Sequence, residues 1–190
     1  MKNEKTLSKI RRAVKKLLDR KRYEHTLGVA YTAAALAMCH GADLYKAQLA
    51  GLLHDCAKCV DDGRKLEICA EHGLAVSETE RRNPFLLHAK VGSFIATHEL
   101  GISDGEVNQA ILSHITGRPA MTLLEKIVFI ADFIEPGRGE APCLPTARQE
   151  AFRDLDKALV IVLEDILAHL AAGGGEIDPM TRRTYEYYKS

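Results

Sequence analysis

Histidine and aspartate residues recur in this chain inside or beside apolar helical stretches, where polar side chains are costly to bury. Four histidines and two aspartates lie on five separate segments: His25 in RYEHTLG, His54 and Asp55 in LLHDCAK, His88 in LLHAKVG, His114 in ILSHITGR, and Asp132 in FIADFIEPGR. Buried imidazole and carboxylate groups need partners, and a divalent metal ion satisfies several at once. This mixed nitrogen and oxygen set suits iron, manganese, cobalt or zinc better than calcium.

The adjacent pair His54-Asp55 follows an apolar run. Neighbouring side chains on a helix point about 100° apart, so the two cannot duplicate each other on one ion. They can instead share a two-metal site in which the carboxylate is the bridge. We interpret the remaining four histidines as hydrogen-bonded core residues: His40, His72, His98 and His169.

Three cations near these segments are candidates for binding an anionic substrate. Lys58 lies four residues after His54, about one helical turn away. Arg118 in ITGRP and Arg138 in EPGRG lie on glycine-containing loops directly after ligand segments, where the backbone can come close to a ligand. The alternatives are a Lys58 stem packed with its head in water, and surface or helix-capping arginines. Further candidate contacts with nucleotide or phosphate are Thr116, Gly117 and Glu135.

Apolar residues recur with a helical period throughout the chain, with few alternating runs, which predicts an all-α fold. We expect helices near 5–20, 23–40, 43–56, 63–72, 85–100, 104–115, 122–134, 146–171 with a break, and 179–188. Capping boxes at Ser77…Glu80, Ser103…Glu106 and Thr122…Glu125 predict helix starts. The Pro- and Gly-containing stretch 135–145 is the one substantial loop that we predict.

Length and composition favour one globular domain over 1–190, with a basic amino-terminal helix (1–22), ligand helices (23–134) and carboxy-terminal helices (146–190). The chain has zero formal net charge. Its first 22 residues nevertheless carry ten Lys or Arg against Glu4 and Asp19. This segment could steer polyanions or be a solvated polar face, and we expect no general nucleic-acid surface elsewhere.

The cysteine pattern and the hydropathy predict a cytoplasmic protein. Five cysteines, an odd number at irregular spacings, favour reduced thiols over a disulfide framework. We find neither a signal-peptide pattern at the start nor an apolar run of the roughly 18 residues that a membrane helix needs.

The ordered set of a histidine, a His-Asp pair, two separated histidines and a late aspartate resembles the HD-domain superfamily of metal-dependent phosphohydrolases. The segments RYEHTLGVAYTAA, AGLLHDCAK, HAKVG, SHITGRPAMTLLEKIVFIADFIEPGR and DLDKAL resemble more specifically the bacterial symmetrical dinucleoside tetraphosphatases of the YqeK type. The resemblance runs from about residue 10 to the carboxy terminus. One departure is Pro119-Ala120, where the family often has glycine.

This resemblance implies an all-α HD-domain helical bundle that hydrolyses diadenosine tetraphosphate to two ADP. It also implies two divalent metal ions, with iron the implied metal and manganese, cobalt or zinc compatible with the ligands. His25, His54, Asp55 and Asp132 would hold one ion, and Asp55, His88 and His114 the other. A hydroxide formed from a shared water would attack an inner phosphorus. Asp55, Lys58 and Asp132 are the candidate catalytic residues, with Asp55 or Asp132 orienting the water.

Other functions fit parts of the same pattern. An HD-domain nucleotidase or a guanosine tetraphosphate hydrolase would use similar ligands on a different nucleotide. A helical module associated with RNA or the ribosome would use the basic amino-terminal segment and have no need of the ligands. The sequence does not decide whether the protein is a homodimer, or whether it prefers adenosine or guanosine ends.

Overall fold

Eleven α-helices and one 3₁₀ helix make up the computed structural model, which describes residues 2–190. Met1, the first residue of the predicted ranges 1–22 and 1–190, lies outside the described residues. The first six helices are α1 Lys2–Leu17, α2 Arg20–His40, α3 Leu44–Leu53, α4 Asp62–Glu71, α5 Glu78–Arg82 and α6 His88–His98. The others are α7 Gly105–Ser113, α8 Leu123–Ile134, α9 Leu144–Ala151, α10 Leu155–Ala172 and α11 Pro179–Lys189. Residues 2–190 contain no β-strand, which confirms the all-α prediction.

Helix starts follow the local capping chemistry. Two predicted capping boxes are present, at Ser77 with Glu80 and at Thr122 with Glu125. The third capping box was predicted one residue too early. Asp104 is the N-cap of α7, and its carboxylate accepts hydrogen bonds from the backbone amides of Glu106 and Val107. Aspartate caps a helix as well as serine does, so either residue of Ser103-Asp104 suited the position.

The helix that carries the His-Asp pair is shorter than predicted. α3 ends at Leu53 instead of residue 56, and residues 54–59 form consecutive turns. The predicted helix over 85–100 begins as a 3₁₀ helix, Pro84–Leu87, before α6. The predicted break in 146–171 is present between α9 and α10, whereas α5 was absent from the predicted map.

α8 lies at the centre of the fold and contacts α2, α3, α7, α9 and α10. Its residues Ile127, Val128, Ile130 and Ala131 are fully buried, and Asp132 follows them directly. α1 packs against α3, with Ile10 and Val14 buried. α1 is thus amphipathic, with cations on one face and core residues on the other. The predicted basic helix over 1–22 is wrong in its bounds, since α1 ends at Leu17 and the last three cations, Arg20, Lys21 and Arg22, open α2. Across residues 2–190, no helix has both the length and the apolar character for a membrane span.

Candidate metal centre and anion-binding cavity

Asp55 joins two groups of side chains at the bottom of a cavity. Its Oδ2 faces the first group, 3.5 Å from His54 Nε2 and 3.9 Å from His25 Nε2. Its Oδ1 faces the second group, 3.1 Å from His88 Nε2 and 3.6 Å from His114 Nε2. Each group could hold a metal ion. One carboxylate with an oxygen toward each group has the arrangement that a bridging ligand requires.

Asp132 extends the first group. Its Oδ1 lies 3.0 Å from His25 Nε2 and 3.7 Å from His54 Nε2. The structure therefore brings together all six residues that the sequence proposed as ligands. The two groups coincide with the two ligand sets that the resemblance implied, and their role as ligands stays a prediction.

Local hydrogen bonds orient three of the four imidazoles. The Nδ1 atoms of His54, His88 and His114 each donate to the carbonyl oxygen three residues earlier, on Gly51, Phe85 and Ile111 respectively. A carbonyl oxygen only accepts, so the proton lies on Nδ1 and the lone pair on Nε2. In its neutral form, each ring therefore presents an unprotonated nitrogen to the cavity.

The Nε2 lone pairs of these imidazoles lie so close together that a cation between them would stabilise the arrangement. His88 Nε2 and His114 Nε2 are 3.1 Å apart, although neither carries a proton to share when Nδ1 is the donor. Among residues 2–190, the buried Nε2 atoms of His25 and His54 have no hydrogen-bond partner. Unpaired buried acceptors are costly. These residues fit divalent metal ions, because imidazole nitrogens and carboxylate oxygens are common ligands of such ions.

The electrostatics favour cations at the same place. Burial disfavours a charged Asp55, yet the imidazoles of His54, His114 and His88 outweigh it and hold the pKa of the carboxyl well below its ordinary value. Burial lowers the pKa of His88 to about 4, so its ring is neutral at neutral pH. Burial likewise disfavours a charged His54, but the neighbouring carboxylates of Asp55 and Asp132 outweigh it and raise the pKa of that ring. The centre thus combines ionised carboxylates with His88 as a neutral imidazole donor, and metal binding would require His54 to be neutral as well.

Three cations line the cavity of about 320 Å³ above Asp55: Arg22, Lys58 and Arg138. Lys58 Nζ lies 3.2 Å from His88 Nε2, and burial lowers the pKa of this amine. Arg138 lies 3.8 Å from Asp132 and has its guanidinium over the Phe133 ring. The structure therefore places Lys58 and Arg138 on the wall of the cavity beside the candidate centre, and their contact with a substrate stays a prediction.

Arg22 was missed as a site residue because it belongs to the run of cations at the amino terminus. Its Nη1 donates to Asp55 Oδ2 at 2.9 Å. Arg22 and Arg138 also line a neighbouring cavity of about 530 Å³, so both arginines connect the two spaces. The signal for Arg22 was its spacing, since it precedes His25 by three residues and so lies on the same face of α2.

Thr116, Gly117 and Arg118 do not line either of the two cavities beside the candidate centre. Arg118 donates through Nε and Nη2 to both oxygens of the buried Glu125, at 2.6 Å each. Gly117 has φ of 62° and approaches Thr184 of α11. A substrate role for these residues stays a prediction, and for Arg118 it would require the guanidinium to leave Glu125.

Glu135 is buried beside the first group and also lines the cavity of about 530 Å³. Its Oε1 accepts from His25 Nδ1 at 3.0 Å, and its Oε2 accepts from the Gly137 amide at 2.6 Å. Its predicted contact with substrate is untested, whereas its contact with His25 is direct.

Three of the other histidines are exposed and one is half-buried, which corrects the interpretation of all four as core residues. His40 is half-buried and its Nε2 contacts the Ala151 carbonyl. His72 and His98 are exposed and stack on Phe94, and His169 is exposed on α10. Surface positions need no buried partner, so helical periodicity alone overstated their burial.

Comparisons with known proteins agree with this geometry. Residues 22–137 match the HD domain family. The chain is 41% identical to "Bis(5'-nucleosyl)-tetraphosphatase, symmetrical" of Halalkalibacterium halodurans, over 90% of this chain and 91% of that protein. It is 37% identical to the protein of the same name from Bacillus subtilis, over 93% and 94%.

A solved structure has the same fold over nearly the whole chain. It is described as a predicted HD superfamily hydrolase involved in NAD metabolism, from Clostridium acetobutylicum. The two structures superpose with a TM-score of 0.92 at 40% identity, covering 96% of each chain.

Proposed function

This chain belongs to the HD-domain family, and on that premise we propose that it hydrolyses dinucleoside tetraphosphates symmetrically to two nucleoside diphosphates. The observation that carries the proposal is the shared carboxylate of Asp55 between two metal-binding groups, beneath three cations. The two relatives named symmetrical tetraphosphatases support the same reaction.

Two divalent ions, when bound, supply the positive charge that lowers the pKa of a water molecule and polarises the phosphoryl group. The ligand set admits iron, manganese, cobalt or zinc. We propose iron, as the family resemblance implies. The chain's part is to hold His25, His54 and Asp132 on one side of Asp55, and His88 and His114 on the other.

The cations of the cavity offset the charge of the substrate. Arg22 and Arg138 line both neighbouring cavities, so a polyphosphate chain lying across the two spaces would meet them midway. Lys58, at the edge of the second group, is close enough to bind an oxygen of the attacked phosphate. Charge-assisted contacts of this kind are the stronger hydrogen bonds in proteins.

Symmetrical cleavage fixes which bonds change. The oxygen of water bonds to one inner phosphorus, and the bond from that phosphorus to the central bridging oxygen breaks. The water releases one proton to solvent. The central oxygen departs with one nucleoside diphosphate, and the attacked phosphorus keeps the water oxygen in the other. Asp55 and Asp132 are the carboxylates placed to orient the water, and Lys58 or Arg138 would stabilise the leaving diphosphate, which needs no strong acid.

Product analysis tests the proposal. Metal-reconstituted protein is incubated with diadenosine tetraphosphate, and the products are separated by anion exchange. We expect ADP alone, and loss of its formation in an Asp55→Ala variant, because both groups lose their shared carboxylate. Arg64→Ala is the matched control, since Arg64 pairs with Glu71 on exposed α4.

Other products would contradict the proposal in different ways. AMP with ATP would mean asymmetrical attack. Turnover of guanosine tetraphosphate or of a mononucleotide, without turnover of the dinucleotide, would favour the rival HD-domain activities. Full activity in Asp55→Ala would remove the candidate centre from the reaction.

Several further predictions accompany the function. We propose one domain over 1–190 and a cytoplasmic location, which the five free cysteines support. A homodimer stays one of the open oligomeric states, and we expect no nucleic-acid partner. Removal of residues 1–22 is a poor test of RNA binding, since it would take Ile10 and Val14 from the core. Charge reversal at exposed Lys9 and Arg12 is better.

A further inference from the structure

Glu135 is a buried carboxylate that contacts the first group of the candidate centre through His25 and lies away from the second group. Glu135 is 2% exposed, and its two carboxylate oxygens accept hydrogen bonds from two different donors, His25 Nδ1 and the Gly137 amide. Its carbonyl oxygen accepts from Arg148, which also donates to the Ile134 carbonyl. These contacts therefore fix the loop after α8 at the point where the Glu135 carboxylate contacts the His25 ring.

His25 differs from the other three imidazoles in this partner. His54, His88 and His114 each donate to a backbone carbonyl within their own turn. His25 donates instead to a carboxylate 110 residues away in sequence. A carboxylate fixes the ring as firmly as a carbonyl does, and it also brings a negative charge to the side of the centre where the ion would bind.

Two glycines leave room for this carboxylate. A Cβ on Gly28 would lie 2.3 Å from Glu135 Oε2, and a Cβ on Gly137 would lie 3.0 Å from the same atom. Gly28 is in the middle of α2, where glycine is otherwise an unfavourable choice. It follows His25 by three residues and so lies on the same face of the helix. The close approach of Glu135 explains why this helical position has no side chain.

The two groups consequently carry different charge. The first has Asp132 and Glu135 near its imidazoles in addition to the shared Asp55. Arg22 and Arg138 lie 2.9 Å from Asp55 and 3.8 Å from Asp132, but their side chains are 34% and 40% exposed, so water screens their charge more than that of buried Glu135. The second has the shared Asp55 alone among these carboxylates and has the Lys58 amine 3.2 Å from His88. Negative charge favours a cation and a neighbouring amine opposes it.

We propose that Glu135 is a positioning residue which holds His25 with Nε2 toward the metal, and that it makes the His25 position bind its ion more tightly than the His88 position. This inference rests on the proposed metal centre and deepens it. Gly28 takes part by leaving space for the carboxylate.

Glu135→Gln is the decisive substitution because an amide has one acceptor oxygen where the carboxylate has two. Glutamine cannot accept from both His25 Nδ1 and the Gly137 amide, so an NH₂ group must face one of these donors. We expect an affinity about 10- to 100-fold lower for one of the two ions. Titration of metal-free protein with Co²⁺, followed by its visible absorption, measures both dissociation constants without any turnover.

A His114→Asn background identifies which ion is affected, because it removes a donor from the second group. In that background the remaining ion should occupy the His25 position, and Glu135→Gln should weaken it by the same factor. A merely structural role would instead weaken both ions together and lower the thermal midpoint of the metal-free protein.

Gly28→Ala tests the same idea from the opposite side without altering any polar group. Its methyl would displace the carboxylate, so we expect the same selective loss, although alanine favours the helix. Gly105→Ala on α7 is the matched control, because nothing lies within 4 Å of a Cβ there. In a Glu135→Ala background, Gly28→Ala should have little further effect on metal affinity.

The outcomes separate this inference from the proposed function. Two tightly bound ions in both wild type and Glu135→Gln would overturn the inference and leave the metal centre intact. A wild-type protein that binds no Co²⁺ would overturn the centre itself. Equal weakening of both ions in Glu135→Gln would overturn the selective role of Glu135.

Discussion

Two short loops follow ligand segments and look alike in sequence, yet the structure uses them differently. The TGRP loop (116–119) comes after His114, and the EPGRG loop (135–139) comes after α8, so each places an arginine directly after a glycine. Arg118 of the first turns to buried Glu125, whereas Arg138 of the second lines both cavities. The same local pattern gives a structural ion pair in one case and a cation facing the candidate centre in the other.

The difference comes from which anion each arginine meets. Glu125 is fully buried, holds the capping box of α8 and accepts from Ser113, so Arg118 completes a network that ties the end of α7 to α8. Arg138 lies 3.8 Å from Asp132 and its side chain is 40% exposed. A glycine-arginine pair after a candidate ligand segment thus indicates a loop that carries a cation. The surrounding carboxylates determine whether that cation forms a structural ion pair or faces the cavity.

Arg118→Ala should give the largest effect, on stability. It removes two contacts from a buried carboxylate, and breaking such a pair costs about 3 kcal/mol of unfolding free energy. Urea denaturation measures this loss, with exposed Arg64→Ala expected to cost less than about 1 kcal/mol. Turnover per folded molecule should stay near the wild-type value. A raised KM without a loss of stability would instead support a substrate role for Arg118.

Arg138→Ala should give the opposite result, a kinetic effect without a stability effect. Loss of a charge-assisted contact with phosphate is worth about 1.5–3 kcal/mol, which corresponds to roughly a 10- to 100-fold lower kcat/KM. Steady-state hydrolysis of diadenosine tetraphosphate measures this change. Arg153→Ala is the control, because that side chain is 69% exposed and pairs with Glu150. Unchanged kinetics would break the contrast between the loops.

Acidification should distinguish the loops through Glu125. Burial opposes its charge, but Arg118, Ser113 and Thr122 outweigh burial and keep the pKa of Glu125 below its ordinary 4.5. A lowered folded pKa contributes stability above the unfolded pKa, and this contribution is lost as the pH falls through the folded pKa. Metal-free wild type should therefore lose more unfolding free energy below about pH 4.5 than Arg118→Ala does. Parallel pH profiles of the two proteins would remove Arg118 as the cause.

Ala120→Gly should give the smallest effect, a gain in stability. Ala120 follows the TGRP loop with φ of 52°, the only positive value at a non-glycine position within residues 2–190. An L-residue in this region costs roughly 1–2 kcal/mol, offset by the greater chain entropy of unfolded glycine. We expect a net gain of about 0.5 kcal/mol, measured as a higher thermal midpoint. Gly117→Ala is the opposite control, and equal stability of Ala120→Gly and wild type would contradict the strain.

Sequence reasoning picked out the six residues that meet at the candidate centre, because they lie on five separate segments and are costly to bury unpaired. It also located helix starts wherever a capping box fixes them locally. It could not find the partner of Glu135, because residues 25 and 135 meet only through the packing of α2 against α8. Arg22 was hidden for a related reason, since a run of cations does not show which of them faces inward.

The turn-local hydrogen bonds of three imidazoles have a consequence for the order of assembly during folding. Each bond spans three residues, so it closes at little entropic cost as soon as its own turn forms. The contact between His25 and Glu135 spans 110 residues and must wait for α8 to dock on α2. The rings of His54, His88 and His114 would thus be oriented early in folding. The His25 position would be completed only when residues 25 and 135, near the two ends of the HD-domain match over 22–137, come together.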